Sequence, residues 1–210
     1  MSRNDDRAPL ARFIVFEGID GSGTTTQTRR LSERLRATGV SAWLTSEPTG
    51  GTIGRVVRQV LSGEIEASPE TIAYLFAADR SDHLTRTDGI LEHLERGDLV
   101  ICDRYAYSSR AYQGVEADPR LVHELNARFP EPAVVFFLDL PVSEVDARLA
   151  GRELREIYER TEFQARVRER YVEVLSAVPD TTRVVTLDAT APEDEIAEKI
   201  WETLEKASIL

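Results

Sequence analysis

Apolar residues along this chain fall into two alternating patterns. Short unbroken runs, "RFIVFEG", "SAWLTS", "DLVICDR", "PAVVFFLDL" and "RVVTLDA", predict five strands. Between them apolar residues recur every three or four positions, the period of a helix with one buried face. Thr25 to Thr38 predicts a helix with Leu31 and Leu35 one turn apart and Gly39 as its stop. "TIGRVVRQVLSG" puts Ile53, Val56, Val57, Val60 and Leu61 on one face, and Pro69 opens a longer helix, "PETIAYLFAADRSDHL". Arginine-rich helices fill Val142 to Ala177, and "PEDEIAEKIWETLEKA" closes the chain as an amphipathic helix. Strands alternating with helices predict an α/β fold: a five-stranded parallel sheet, doubly wound by right-handed crossovers, with ligands at the strand carboxyl ends. Residues 12–210 read as one domain behind a polar tail, 1–11.

Composition narrows the function more than the fold. Hydrophobic residues make up 41% of the 210, enough for one substantial core. No apolar run approaches the roughly 20 residues of a membrane span, and the polar start lacks the apolar centre of a secretory signal. The single cysteine, Cys102, excludes an internal disulfide; inside "LVIC" it reads as a buried inert thiol, and a cytoplasmic protein is the simple expectation. A net charge of -11 argues against a nucleic-acid partner. Only Lys199 and Lys206 of the 26 basic residues are lysines, and both lie near the end of the chain.

That shortage matters because of "FEGIDGSGTTTQ". Gly18, Gly23 and Thr25 have the spacing of a phosphate-binding P-loop, but its lysine is replaced by Thr24. Glycines in such a turn permit positive φ, and the backbone N–H groups of the turn and the helix start make an anion cradle. Thr25 would offer its hydroxyl to Mg²⁺ or a phosphate. Losing one preorganised donor costs on the order of 3 kcal/mol unless another cation reaches the same oxygens. Arg148, Arg152 and Arg155, spaced i, i+4, i+7 with Arg160 just beyond, would share a helix face and supply it as a lid over about 142–160. The bland alternative is a solvated face with ion pairs such as Arg155–Glu159 or Glu156–Arg160.

Two further stretches carry candidate chemistry. Asp103 and Arg104 end the third strand, the first placed for Mg²⁺ and the second for a bidentate phosphate contact; a simple Asp–Arg pair is the alternative. Asp139 is a similar strand-end carboxylate that reads as structural. Phe76 and Arg80 share a helix face, where one can stack on a base and the other donate to a carbonyl oxygen; His83, continuing that face, reads as structural.

Together these pieces resemble bacterial and archaeal thymidylate kinases over about residues 12 to 206. The family fingerprint, close to "FEGIDGSGKTTQ", "REPGGT", "FAADRxxH" and "DRYxxSSxAYQG", stands here as "FEGIDGSGTTTQ", "SEPTGGT", "LFAADRSDH" and "DRYAYSSRAYQG". The resemblance implies a P-loop nucleoside monophosphate kinase fold, transfer of the ATP γ-phosphoryl to dTMP, Mg²⁺ and a homodimer. It implies that Gly18 and Asp20 to Thr26 (Asp20, Gly21, Ser22, Gly23, Thr24, Thr25, Thr26) hold the ATP phosphates. Asp20, Glu47, Phe76, Arg80, Arg104, Ser108, Ser109, Tyr112 and Gln113 would line the dTMP site, with Phe76 on thymine, Arg80 at its O4 edge and Tyr112 against the sugar 2′ position. Thr25 and Asp103 would hold the metal; Arg148, Arg152, Arg155, Asp103 and Arg104 would serve the transfer itself. Two positions depart from the fingerprint, Thr24 for lysine and Ser46 for the arginine before Glu47, and both remove positive charge. A non-catalytic nucleotide-binding regulator and a kinase for another pyrimidine nucleotide remain alternatives.

Overall fold

The computed structural model describes residues 8–149, 158 and 161–210. Five parallel strands, β1 (Leu10–Gly18), β2 (Ala42–Ser46), β3 (Leu99–Asp103), β4 (Pro132–Asp139) and β5 (Arg183–Asp188), form one sheet in the order β2-β3-β1-β4-β5. All neighbouring pairs are parallel, as the alternating pattern predicts. Phe13 to Phe16, Leu99 to Cys102 and Val134 to Leu138 are buried, because the three middle strands are covered on both faces. The edge strands β2 and β5 are only partly buried. β1 begins at Leu10, inside the expected tail, since the Leu10 N–H donates to the Glu131 carbonyl (2.9 Å) alongside β4.

Helices α1 (Thr24–Ala37), α2 (Thr52–Leu61) and α3 (Pro69–Thr85) follow the predicted ranges closely. α3 starts where Ser68 Oγ accepts the Thr71 N–H (3.2 Å) and Pro69 fills a first-turn position that needs no donor. Three helices were not among the sequence expectations: α4 (Ile90–Glu95), α5 (Ala106–Glu116) and α6 (Pro119–Asn126). α5 hid because it is buried almost all round, with Ser108, Ser109 and Gln113 as enclosed as Ala111 and Tyr112. A 3₁₀ turn at Val142–Glu144 leads into α7 (Val145–Leu149); α8 (Thr161–Ser176) and α9 (Glu193–Lys206) complete the order. Arg148 ends in α7, whereas Arg152, Arg155 and Arg160 lie outside the described residues, as do the ion pairs suggested for them.

Register decides where the chemistry gathers. Phe16 lies beside Asp103 and Gly18 beside Leu138, so the carboxyl ends of β1, β3 and β4 meet at one edge.

Candidate active site

The turn after β1 is closed by necessity of space. A Cβ on Gly18 would fall 2.4 Å from Ser22 Oγ and 2.8 Å from the Leu138 carbonyl. Gly23, at φ 94°, precedes α1 without any side-chain cap, which leaves first-turn N–H groups facing outward for an anion. Ser22 Oγ is buried with no hydrogen-bond partner. Thr24, in the lysine position, is itself buried.

Thr25 Oγ1 donates to Asp103 Oδ2 at 2.5 Å, and Asp103 Oδ1 is buried with no partner. Among the described residues no group of three or more His, Cys, Asp or Glu could enclose a metal. Mg²⁺ needs no such cage: one or two carboxylates with substrate phosphates and water suffice. The hydroxyl and the orphan carboxylate oxygen therefore fit it.

A cavity of about 930 Å³ runs along this turn, lined by Asp20 to Thr26, Asp103 and four arginines: Arg29, Arg58, Arg104 and Arg148. Arg148 donates to the Ala189 carbonyl (2.7 Å) and the Gly21 carbonyl (3.3 Å), which sets its guanidinium against the P-loop. Arg58 donates to the Pro48 carbonyl. Arg29 stands one helical turn after Thr25 and has no ion-pair partner among the described residues. Helical side chains lean toward the helix N-terminus, so Arg29 leans toward the turn.

A second, narrow pocket of about 70 Å³ adjoins the first; both are lined by Asp20, Glu47, Pro48, Leu61 and Arg104. Arg104 stands at this junction with φ 71°, a left-handed conformation that costs a non-glycine residue about 1 kcal/mol or more. It is held there by donating to Asp20 Oδ1 (2.7 Å) and the Gly18 carbonyl (2.7 Å), and by lying 5.1 Å over the Tyr112 ring. Burial works against its charge, yet Tyr112, Asp20 and Tyr171 outweigh that and keep its pKa well above the ordinary value.

The pocket wall behind is a satisfied polar network. Arg80, 1% exposed, donates from Nε to Glu47 Oε2 (2.9 Å), from Nη2 to Ser109 Oγ (3.0 Å), and to Asn126. Glu47 Oε1 shares a hydrogen bond with His83 Nδ1 (3.0 Å), whose other nitrogen meets Thr45 Oγ1 (2.7 Å), so His83 is structural. Phe76, Tyr112 and Gln113 line the pocket, and the Tyr112 hydroxyl and Gln113 Oε1 are buried without partners. Ser108 lines it too, while its hydroxyl donates to Glu17 Oε2 (2.5 Å).

Among the described residues, two that were nominated reach neither cavity wall. Gly18 closes the turn and accepts from Arg104, and Ser109 stands behind Arg80 as its support. Asp139 pairs with Arg168 at 2.6 and 2.8 Å, a structural pair. Cys102 is buried, its Sγ–H donates to the Arg104 carbonyl, and burial raises its pKa, as suits an inert thiol.

The thymidylate kinase family model matches residues 16–200. The chain belongs to the thymidylate kinase family. A Treponema pallidum relative is 40% identical over 195 residues, covering 91% of this chain and 93% of its own. One from Aeropyrum pernix is 36% identical over 204 residues, with 92% and 97% covered, and one from Methanocaldococcus jannaschii is 39% identical over 176, with 81% and 87%. Each carries thymidylate kinase in its name, and the family match over residues 16–200 takes in both cavities rather than the P-loop alone.

Sequence reasoning missed the groups that support this site. Glu17 is fully buried and accepts from Tyr105 N–H (2.9 Å), Ser108 and the Tyr171 hydroxyl (2.9 Å). An acid inside the apolar run "RFIVFEG" was the available signal, because a buried carboxylate needs donors. Gln164, Tyr158 and Arg29 gave no signal beyond their residue types.

Proposed function

We propose that this protein phosphorylates dTMP to dTDP with ATP and Mg²⁺. The observation that carries the proposal is the junction of the two cavities at Arg104 and Asp20, with a phosphate cradle on one side and a narrow, aromatic-walled pocket on the other. Thymine would stack on Phe76, with Arg80 toward its O4 and the unpartnered Gln113 Oε1 accepting from its N3–H. Tyr112 would crowd the sugar 2′ position. Arg104 would grip the acceptor phosphate at the junction. The P-loop amides from Gly21 to Thr26 would hold the donor phosphates.

An oxygen of the dTMP phosphate attacks the γ-phosphorus in line; the new P–O bond forms as the β–γ bridge breaks and ADP leaves. Positioning and charge neutralisation carry this chemistry, so no covalent nucleophile is needed. Thr25 and Asp103 would hold Mg²⁺, which supplies charge neutralisation at the donor phosphates when bound. The charge that Thr24 lacks would come from Arg148 and Arg29, with Arg152 and Arg155 as further candidates. A homodimer and a cytoplasmic location complete the proposal. Among the described residues no helix is long and apolar enough to cross a membrane.

The test is a coupled ADP-release assay with dTMP, dUMP, dCMP and dGMP, with and without Mg²⁺. Turnover is expected with dTMP and only with Mg²⁺. ATP binding with no turnover on any acceptor would make the protein a non-catalytic nucleotide binder; preference for another nucleotide would make it a different kinase. Light scattering on the purified protein tests the dimer.

A further inference from the structure

Glu17 lies in β1 next to Gly18, wholly buried, and the reaction as proposed gives it no task. One carboxyl oxygen, Oε1, accepts the N–H groups of Tyr105 (2.9 Å) and Ser108 (3.2 Å). The other, Oε2, lies 2.5 Å from Ser108 Oγ and 2.9 Å from the Tyr171 hydroxyl, and those two hydroxyls lie 2.8 Å from each other. Three oxygens thus stand in mutual hydrogen-bond contact, and three contacts need three protons. The two hydroxyls bring two. If both donate to a charged Glu17, the contact between them has no proton and lone pairs meet. A proton on Oε2 completes the ring, in which each oxygen donates once and accepts once. Burial acts in the same direction, raising the Glu17 carboxyl to about 7.

Arg104 adjoins this ring. Its Nη1 donates to the Gly18 carbonyl (2.7 Å) and to the Tyr171 hydroxyl (3.4 Å), so one phenol oxygen separates the guanidinium from Glu17. We propose that Glu17 is a positioning residue which works as a neutral acid, its proton closing the ring with Ser108 and Tyr171 so that the Arg104 charge stays free for the acceptor phosphate. This rests on the thymidylate kinase reading of Arg104. A charged Glu17 would be a second carboxylate, beside Asp20, drawing on that guanidinium, and it would repel the incoming phosphate. The other titratable groups of the neighbouring elements keep their charge states near neutral pH. Burial raises the Cys102 thiol and the Tyr105, Tyr107 and Tyr171 hydroxyls, and Arg104 stays charged. β4 offers Phe137 at this register, and Asp103 turns to Thr25 (2.5 Å).

Glu17→Gln puts an amide in the ring, whose two N–H bonds serve Ser108 and Tyr171 and which cannot ionise. Binding of dTMP and of thymidine to the wild type and the variant is measured by calorimetry at about pH 6 and about pH 8.5, without donor nucleotide. The ratio of the wild-type to the variant Kd for dTMP is expected to rise roughly fivefold to tenfold between the two. For thymidine, which has no phosphate to meet Arg104, the ratio stays within about twofold. The dTMP phosphate ionises alike before both proteins and cancels. A dTMP ratio that does not change with pH overturns the proposal, and so does an equal change for thymidine, which would mark Glu17 as packing alone. The wild type also answers without nucleotide. Infrared spectroscopy is expected to find a protonated carboxyl that is present at about pH 6, is lost as pH rises through about 7, and is missing from Glu17→Gln. Its absence overturns the neutral acid whatever binds. Turnover is read separately: a wild type with the pH effect on dTMP binding that does not phosphorylate dTMP refutes the kinase reading and leaves the role of Glu17 standing.

Discussion

The two halves of the site are built by different means. On the acceptor side, polar groups are buried and committed: Arg80 to Glu47, Asn126 and Ser109, and Arg104 to Asp20 and Gly18. The side chains project from α3, α5 and the end of β3, elements fixed by the core, around about 70 Å³. The donor side is a cavity of about 930 Å³ along the P-loop turn; apart from Arg104, its arginines rest on carbonyl oxygens (Arg58, Arg148) or have no ion-pair partner among the described residues (Arg29). Recognition that relies on fixed side-chain geometry tolerates little change. A cradle of backbone amides ringed by several cations can lose one of them, and the lysine missing at Thr24 falls on that tolerant side.

The sharpest way to break the contrast is to remove an acceptor-side group. Arg104→Ala takes away a cation preorganised at the junction, and kcat/KM for dTMP is expected to fall a hundredfold or more. Steady-state kinetics with both substrates varied checks this. A loss below tenfold would show that the acceptor side is as forgiving as the donor side.

Rigidity on the acceptor side has a pH signature. Burial pushes the Glu17 carboxyl up to about 7, against hydrogen bonds from Ser108 and Tyr171 and the charge of Arg104 that pull it down. The folded value lies above the ordinary 4.5, so the native state holds this proton more tightly than the unfolded chain. Its contribution is full below about pH 4.5 and is lost as pH rises toward 7, on the order of 3 kcal/mol in all. Urea unfolding between pH 5 and 8 should show the wild type losing stability relative to Glu17→Gln, which cannot ionise. Parallel pH profiles for the two proteins would remove Glu17 from this account.

The donor side is expected to respond less. Arg148→Ala should lower turnover by somewhat more than tenfold, and Arg29→Ala by a few-fold, with the larger change in the KM for ATP. If neither variant differs from the wild type, the compensating charge lies with arginines beyond these two.

How much of this was legible beforehand follows the same division. The sheet, its five strands and the P-loop turn were readable because apolar runs and glycine spacing are local properties of the chain. Arg104 and Phe76 were readable because each sits in a short motif. Glu17 and Gln164 were not, since their roles depend on partners 88 to 154 residues away. α5 was hidden for a related reason: a helix buried on nearly every side has no polar face to set its period against.

The smallest effect is the most telling about the donor side. Thr24→Lys restores the cation that the P-loop pattern calls for, at a buried position on the cavity wall. If Arg148 and Arg29 already neutralise the donor phosphates, a further positive charge adds little, and kcat should hold or rise by no more than about tenfold. A large gain would mean that the arginines compensate poorly and that this chain runs well below the rate its acceptor pocket permits. A large loss would mean that the turn has been rebuilt around threonine, so that a lysine displaces one of those arginines or the orphan hydroxyl of Ser22 from its working place. Measuring the Mg²⁺ and ATP dependence of the same variant separates the two failures, because a displaced ligand raises the KM for ATP, whereas idle arginines leave it unchanged.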